Sequence, residues 1–190
     1  QLSAFQKLAQ EGIQVAPVWN KSHREHGFIG SHPEDVRAAS ATAIIESGWD
    51  GPWYVDADHI RLDTVDGYLE SSDFFTIDVA DSIGQPADES DIRTFIAAHP
   101  ELCKPVSIPG ITKVIRLSED GTASIVRKYH KACRDAATIY KHIAEKRGDD
   151  AVIEVSMDET DEQQTSPELL VILALLADEK IPVQTIAPKF

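Results

Sequence analysis

The chain has 190 residues, 42% hydrophobic and 26% charged, with a formal net charge of −14. That length suits one globular domain with a sizeable core, and the composition is that of a folded chain, not a disordered one. An acidic excess relieved by no basic tract argues against phosphate-backbone and anionic-membrane partners, so neither nucleic acid nor a membrane is expected. Two cysteines, Cys103 and Cys133, give neither a disulfide framework nor zinc spacing and fit a reducing, cytoplasmic setting. The chain begins at Gln1, has Met157 as its only methionine and stops at Phe190 just after a strand-like run, which reads as a fragment of a longer protein.

In chain order, residues 14–19 read as a first strand, followed by a polar loop carrying Lys21, His23, Arg24 and His26. Ser31 opens a helix, with Glu34 three residues on to complete a capping box and Gly48 to end it. After the turn signal Gly51-Pro52, the run Trp53-Tyr54-Val55 reads as a buried strand ending on Asp56, Asp58 and His59. Residues 62–69 show helical spacing, 74–79 form the next strand and 88–99 the next helix. Residues 105–121 gather Pro105, Pro109, Gly110 and Gly121 around short β-branched runs, the pattern of a hairpin or insertion. A long helix follows, with Ile125, Tyr129, Cys133, Ala136, Tyr140 and Ile143 in one stripe up to Gly148, which makes Cys133 a core residue and not a nucleophile. The stretch 151–160 carries a buried strand pattern in which Glu154 stands between Ile153 and Val155. An acid there is costly to bury without a partner, and lining an interior near the strand's mouth relieves it. Thr165-Ser166-Pro167-Glu168 caps a last helix, and 181–186 read as a fifth strand.

Strand and helix alternate throughout, which indicates an α/β fold with a mostly parallel sheet. Polar residues at the strand ends favour a (β/α) TIM-type barrel over a doubly wound sheet, with residues 1–190 as one partial barrel domain. Five strands cannot close an eight-stranded barrel, so the rest is expected beyond Phe190. No glycine-rich phosphate loop is present. Ligands of α/β folds bind at the carboxyl ends of the strands. Asp56, Asp58 and His59 therefore read either as proton acceptor and metal ligand or as caps and loop acids around the next helix.

Taken together, Tyr54-Val55-Asp56-Ala57-Asp58-His59, then Phe75-Thr76-Ile77-Asp78, then Glu154-Val155-Ser156-Met157-Asp158-Glu159-Thr160 with Thr165-Ser166-Pro167 resemble the tagaturonate epimerase family. The similarity runs from about Gly30 to Ile186. It implies a metal-dependent barrel interconverting tagaturonate and fructuronate, with a small-molecule ketouronate as substrate and a divalent metal cation as cofactor. Carried over by position, it implies Asp58 as proton acceptor, His59 as metal ligand and Glu154 as proton donor, with the remaining metal ligands on later strands. The loop with Lys21, His23, Arg24 and His26 and the 105–121 insertion depart from the family pattern.

Two carboxylates and a Lewis acid suit epimerisation, which breaks a bond on one face of a carbon and remakes it on the other. In these ketouronates the inverted carbon is one removed from the carbon next to the ketone. Simple enolisation there is disfavoured, and a retro-aldol/aldol route is expected instead. Asp78, Asp81, Asp158 and Glu159 read equally as orienting groups or loop acids, and Lys189 as a solvated residue that could meet a substrate carboxylate. Two other readings stay open: an epimerase or aldolase for a neutral ketohexose, and a sugar-acid binding module without turnover.

Overall fold

Short runs of apolar and β-branched residues interrupt the helical spacing along the chain, and five of them are strands. The computed structural model describes residues 2–190. In order these form α1 (Leu2–Gln10), β1 (Val18–Ser22), α2 (His23–Ile29), α3 (Pro33–Ser47), β2 (Tyr54–Ile60), β3 (Phe74–Asp78), α4 (Glu89–Ala98), α5 (Glu119–Arg147), β4 (Val152–Met157), α6 (Ser166–Asp178) and β5 (Thr185–Pro188). The strands form one sheet in the order β1-β2-β3-β4-β5. β1 runs parallel to β2, with Val18 opposite Tyr54 and Ser22 opposite Asp58, and β2 runs parallel to β3. Sequential order, with α-helices between all successive strands but β2 and β3, is the arrangement that (β/α) folds follow.

Two compact units divide the chain, one of residues up to Ile77 with Lys141–Glu154 and the other of Asp78–Tyr140 with Val155–Phe190. In the first, Val55, Ala57, Ile60, Phe75, Ile77 and Ile153 are buried, so every second residue at the start of β2 points into apolar core. In the second, Val126, Tyr129 and Cys133 on α5 and Val171, Ile172, Leu175 and Leu176 on α6 are buried. Cys133 is thus a core residue, as its place on the helical stripe predicts.

Local chemistry explains where the elements depart from expectation. The polar segment 20–27 is no loop: Ser22 accepts from the Glu25 N–H while the Glu25 side chain accepts from the Ser22 N–H, and this capping box starts α2. β1 accordingly begins at Val18, later than residue 14. The cap of α3 falls one residue later than Ser31, at His32, whose N–H donates to Asp35 at 2.8 Å. Residues 62–69 keep only a 3-10 turn, Val65–Gly67, because Asp63, Asp66 and Gly67 are poor helix formers. The last strand starts at Thr185, beyond Pro182, which has no N–H to give a ladder. Within 105–121, Val106 and Ile115 form an antiparallel bridge with backbone bonds of 2.8 and 2.9 Å.

Candidate active site

β2 supplies the site, and its sequence explains how. Val55 and Ala57 are fully buried on one face of the pleat, which turns Asp56 and Asp58 to the other. The strand carries the acids and His59 in its carboxyl-terminal half, as its sequence predicts, and ends one residue further on, at Ile60. Between Ala57 and Ile60 it carries one residue more than β3 opposite it, since Ala57 pairs with Phe75 and Ile60 with Ile77. This bulge puts His59 at φ +52°, a left-handed backbone that side chains other than glycine rarely adopt. Strain of that kind costs on the order of 1–3 kcal/mol and gathers at functional sites.

Asp56 is only 7% exposed. Its carboxyl accepts the Thr76 N–H at 3.1 Å and the Thr76 hydroxyl at 2.9 Å. Burial pushes it up to about 7, against the pull of the Thr76 hydrogen bonds, and the negative charges of Asp58 and Glu154 push the same way. β2 and β4 thus bring two carboxyl groups, Asp56 and Glu154, to one threonine of β3. Glu154, half-buried on β4, has its Oε1 3.5 Å from the Thr76 hydroxyl oxygen. The partner that the strand pattern demanded for Glu154 is therefore Thr76.

His59 follows Asp58 directly, with Nε2 3.9 Å from an Asp58 oxygen. Its Nδ1 is buried and makes no hydrogen bond. Nearby, Tyr68 is buried with a hydroxyl that has no hydrogen-bond partner. Burial pushes that phenol up to about 12, and Asp58 adds to the rise. The Tyr68 ring packs edge-on against His23 and His26 at 6.5 and 6.0 Å between centroids. His26 is buried with Nδ1 2.8 Å from the Ser31 hydroxyl, a structural setting.

Residues 3–190 match the family model described as tagaturonate epimerase. The chain belongs to the tagaturonate epimerase family. Among solved structures it is similar to a glycerol-complexed fructuronate-tagaturonate epimerase from Cohnella laeviribosi, with 19% identity and a TM-score of 0.79 over 98% of this chain and 41% of that one. Against the native crystal structure of that enzyme the values are 21% and 0.74, over 90% and 38% of the two chains. At such identity the likeness is one of fold, and the chain spans less than half the length of these structures. No curated protein matches it.

The resemblance to tagaturonate epimerases implies a divalent metal, and the donor chemistry fits. A buried imidazole nitrogen with no hydrogen-bond partner, such as Nδ1 of His59, is a group that a cation can satisfy. In the other unit, Asp78 and Glu159 present carboxylate oxygens within 4.8 Å of each other, the oxygen donors a divalent cation takes. Asp78 also accepts the Ala80 N–H at 3.0 Å, and Asp158 accepts the Ser156 hydroxyl at 2.7 Å, an orienting contact within its own turn. The Lys189 backbone is tied to Gln164 in both directions.

Asp56 and Thr76 are the site residues that sequence reasoning did not assign. The spacing of Asp56 two residues before Asp58 was the available signal, since it puts both on one face of a strand. Thr76, an ordinary β-former inside a strand, gave none. Among the described residues no helix is long and apolar enough to cross a membrane.

Proposed function

We propose that the full-length protein interconverts fructuronate and tagaturonate, with Asp58 as proton acceptor, Glu154 as proton donor and His59 as a ligand of a divalent metal. The carrying observation is that the family match covers residues 3–190, and the Thr76 hydroxyl, which stands between Asp56 and Glu154, supports it by bringing the acids of β2 and β4 together. The five-stranded sheet is then part of a (β/α) barrel with its chemistry at the strands' carboxyl ends, where β2 places Asp58 and His59.

The residues suggest the following course. Asp58 takes the proton of the hydroxyl on the carbon to be inverted. The bond from that carbon to the one beside the ketone breaks, giving an aldehyde and an enolate. The aldehyde turns over, the enolate carbon attacks its other face, and Glu154 gives a proton to the new alkoxide. A divalent cation held by His59 supplies Lewis-acid stabilisation of negative charge developing on the substrate's oxygens. The strained backbone of the bulge fixes the His59 ring beside Asp58, so base and metal ligand are set by one stretch of chain.

Mixing the full-length protein with fructuronate and a divalent metal should yield tagaturonate, and Asp58→Asn and Glu154→Gln should each lower turnover by about 10²-fold or more. No conversion by folded, metal-loaded protein sinks the assignment. Exchange of the hydrogen on the inverted carbon with deuterated solvent would replace the retro-aldol course with direct proton transfer.

A further inference from the structure

The proposed cycle leaves a proton on Asp58 and none on Glu154, so each turnover must end by returning one. We propose that Asp56 is a buried proton store that recharges Glu154 through the hydroxyl of Thr76. This rests on the epimerase reading and adds to it two residues with no part in the acceptor and donor assignments.

Geometry carries the inference. The Thr76 oxygen stands 2.9 Å from Asp56 Oδ2 and 3.5 Å from Glu154 Oε1. A hydroxyl has one proton to give and lone pairs to receive another, so one placed between two carboxyl groups is a two-sided link. The longer side is at the outer limit of hydrogen bonding and must close by roughly half an ångström for full strength, a tightening common on substrate binding. The backbone N–H of Thr76 also donates to Asp56, at 3.1 Å, which fixes the pair whichever way the hydroxyl turns. Asp58 on its own strand and Glu154 on β4, both acidic, act on Asp56. Burial and those two neighbours keep Asp56 holding a proton up to about pH 7.

The return step balances. The O–H bond of Asp56 breaks as its proton passes to the Thr76 oxygen, and the hydroxyl proton Thr76 already held passes to Glu154. Thr76 ends unchanged, Glu154 protonated and Asp56 ionised. The proton that Asp58 took from substrate then restores Asp56, directly or through one water. In the reverse reaction the same path runs backwards.

The test uses the full-length enzyme with Asp56→Asn, Thr76→Val and Thr76→Ser. Wild-type conversion of fructuronate is measured first, and its absence overturns the epimerase reading and the store together. Given conversion, Asp56→Asn and Thr76→Val should lower kcat about tenfold or more with KM within about twofold. In both, the alkaline limb of the kcat profile should move to lower pH, because the store is removed or disconnected. Thr76→Ser, which keeps the hydroxyl, should restore both. An alkaline limb unmoved in folded Asp56→Asn and Thr76→Val overturns the store while leaving the epimerase reading intact. Infrared spectra give a readout independent of turnover: wild type at pH 6 should show the C=O stretch of a buried protonated carboxyl, lost in Asp56→Asn. Its absence from wild type overturns the store as well.

Discussion

Thr76 is bonded to Asp56 twice, through its N–H at 3.1 Å and its hydroxyl at 2.9 Å, and that carboxyl is nonetheless raised from 3.8 to about 7. Two good hydrogen bonds do not outweigh burial beside two other acids. The folded chain thus holds this proton more tightly than the unfolded chain does. The stabilisation is complete below the unfolded value of 3.8 and is lost as pH rises through about 7. Urea unfolding at pH 5 and pH 8 should show Asp56→Asn losing less stability than wild type over that interval, by about 2–4 kcal/mol. Equal losses would mean that Asp56 titrates in the folded state as it does in the unfolded one.

A second carboxylate, Asp73, holds the frame on which the site is built. Its Oδ1 accepts the Val55 N–H at 2.7 Å and its Oδ2 pairs with Arg37 at 2.7 Å. Arg37 also donates to the Ser71 carbonyl at 2.9 Å and lies over the Trp53 ring at 5.0 Å. One residue so ties α3, the start of β2 and the start of β3. Asp73→Ala strips partners from both a strand amide and a guanidinium and should cost about 2–3 kcal/mol. Arg37→Lys should recover little of an Arg37→Ala loss, since an ammonium cannot reproduce the planar fork. Urea midpoints at pH 7 check both.

Periodicity made most of this fold legible. Five strands and the long helices α3, α5 and α6 are anticipated by spacing, down to the Thr165–Glu168 box that starts α6, although β1 and β5 each begin four residues later than expected and the α3 cap one residue later. Misreadings fell where composition and pattern disagreed. Segment 20–27 is as polar as a loop, yet Ser22 and Glu25 make it a helix; residues 62–69 have helical spacing but the wrong residues to hold it. The acids of β2 look like the end of a strand because charge is costly to bury, and Asp56 stays buried in the strand with two hydrogen bonds from Thr76. Neither the bulge at His59 nor the link through Thr76 has a local sequence signature, because both arise from the register between β2 and β3.

The two cysteines should differ sharply in reactivity. Cys133 is 1% exposed on α5, and burial pushes its thiol far above the ordinary cysteine range, whereas Cys103 is partly exposed. A maleimide at pH 7.5 should label one thiol per folded chain, Cys103, and two once the chain is unfolded in urea. Cys133→Ser, which puts a hydroxyl into that apolar setting, should destabilise by about 1–3 kcal/mol. Fast labelling of Cys133 in the folded chain would contradict its place in the core.

His59 allows backbone strain to be separated from ligand chemistry, because glycine is at ease at φ +52° and alanine is not. His59→Gly and His59→Ala both remove the imidazole. Alanine keeps the left-handed strain, which costs about 1–2 kcal/mol, part of which glycine offsets by its greater freedom in the unfolded chain. His59→Gly should therefore match or exceed His59→Ala in stability, by up to about 1 kcal/mol in urea unfolding. With His59 as a metal ligand, the two variants should lose affinity alike whatever their stabilities. Titration of the full-length apo-protein with manganese and with zinc should show both weakened by about tenfold or more. Unchanged affinity in both would remove His59 from the ligand set and leave its buried Nδ1 to be explained by substrate contact. A loss in His59→Ala alone would trace the effect to the altered bulge, since only the glycine variant keeps the backbone relaxed at that angle.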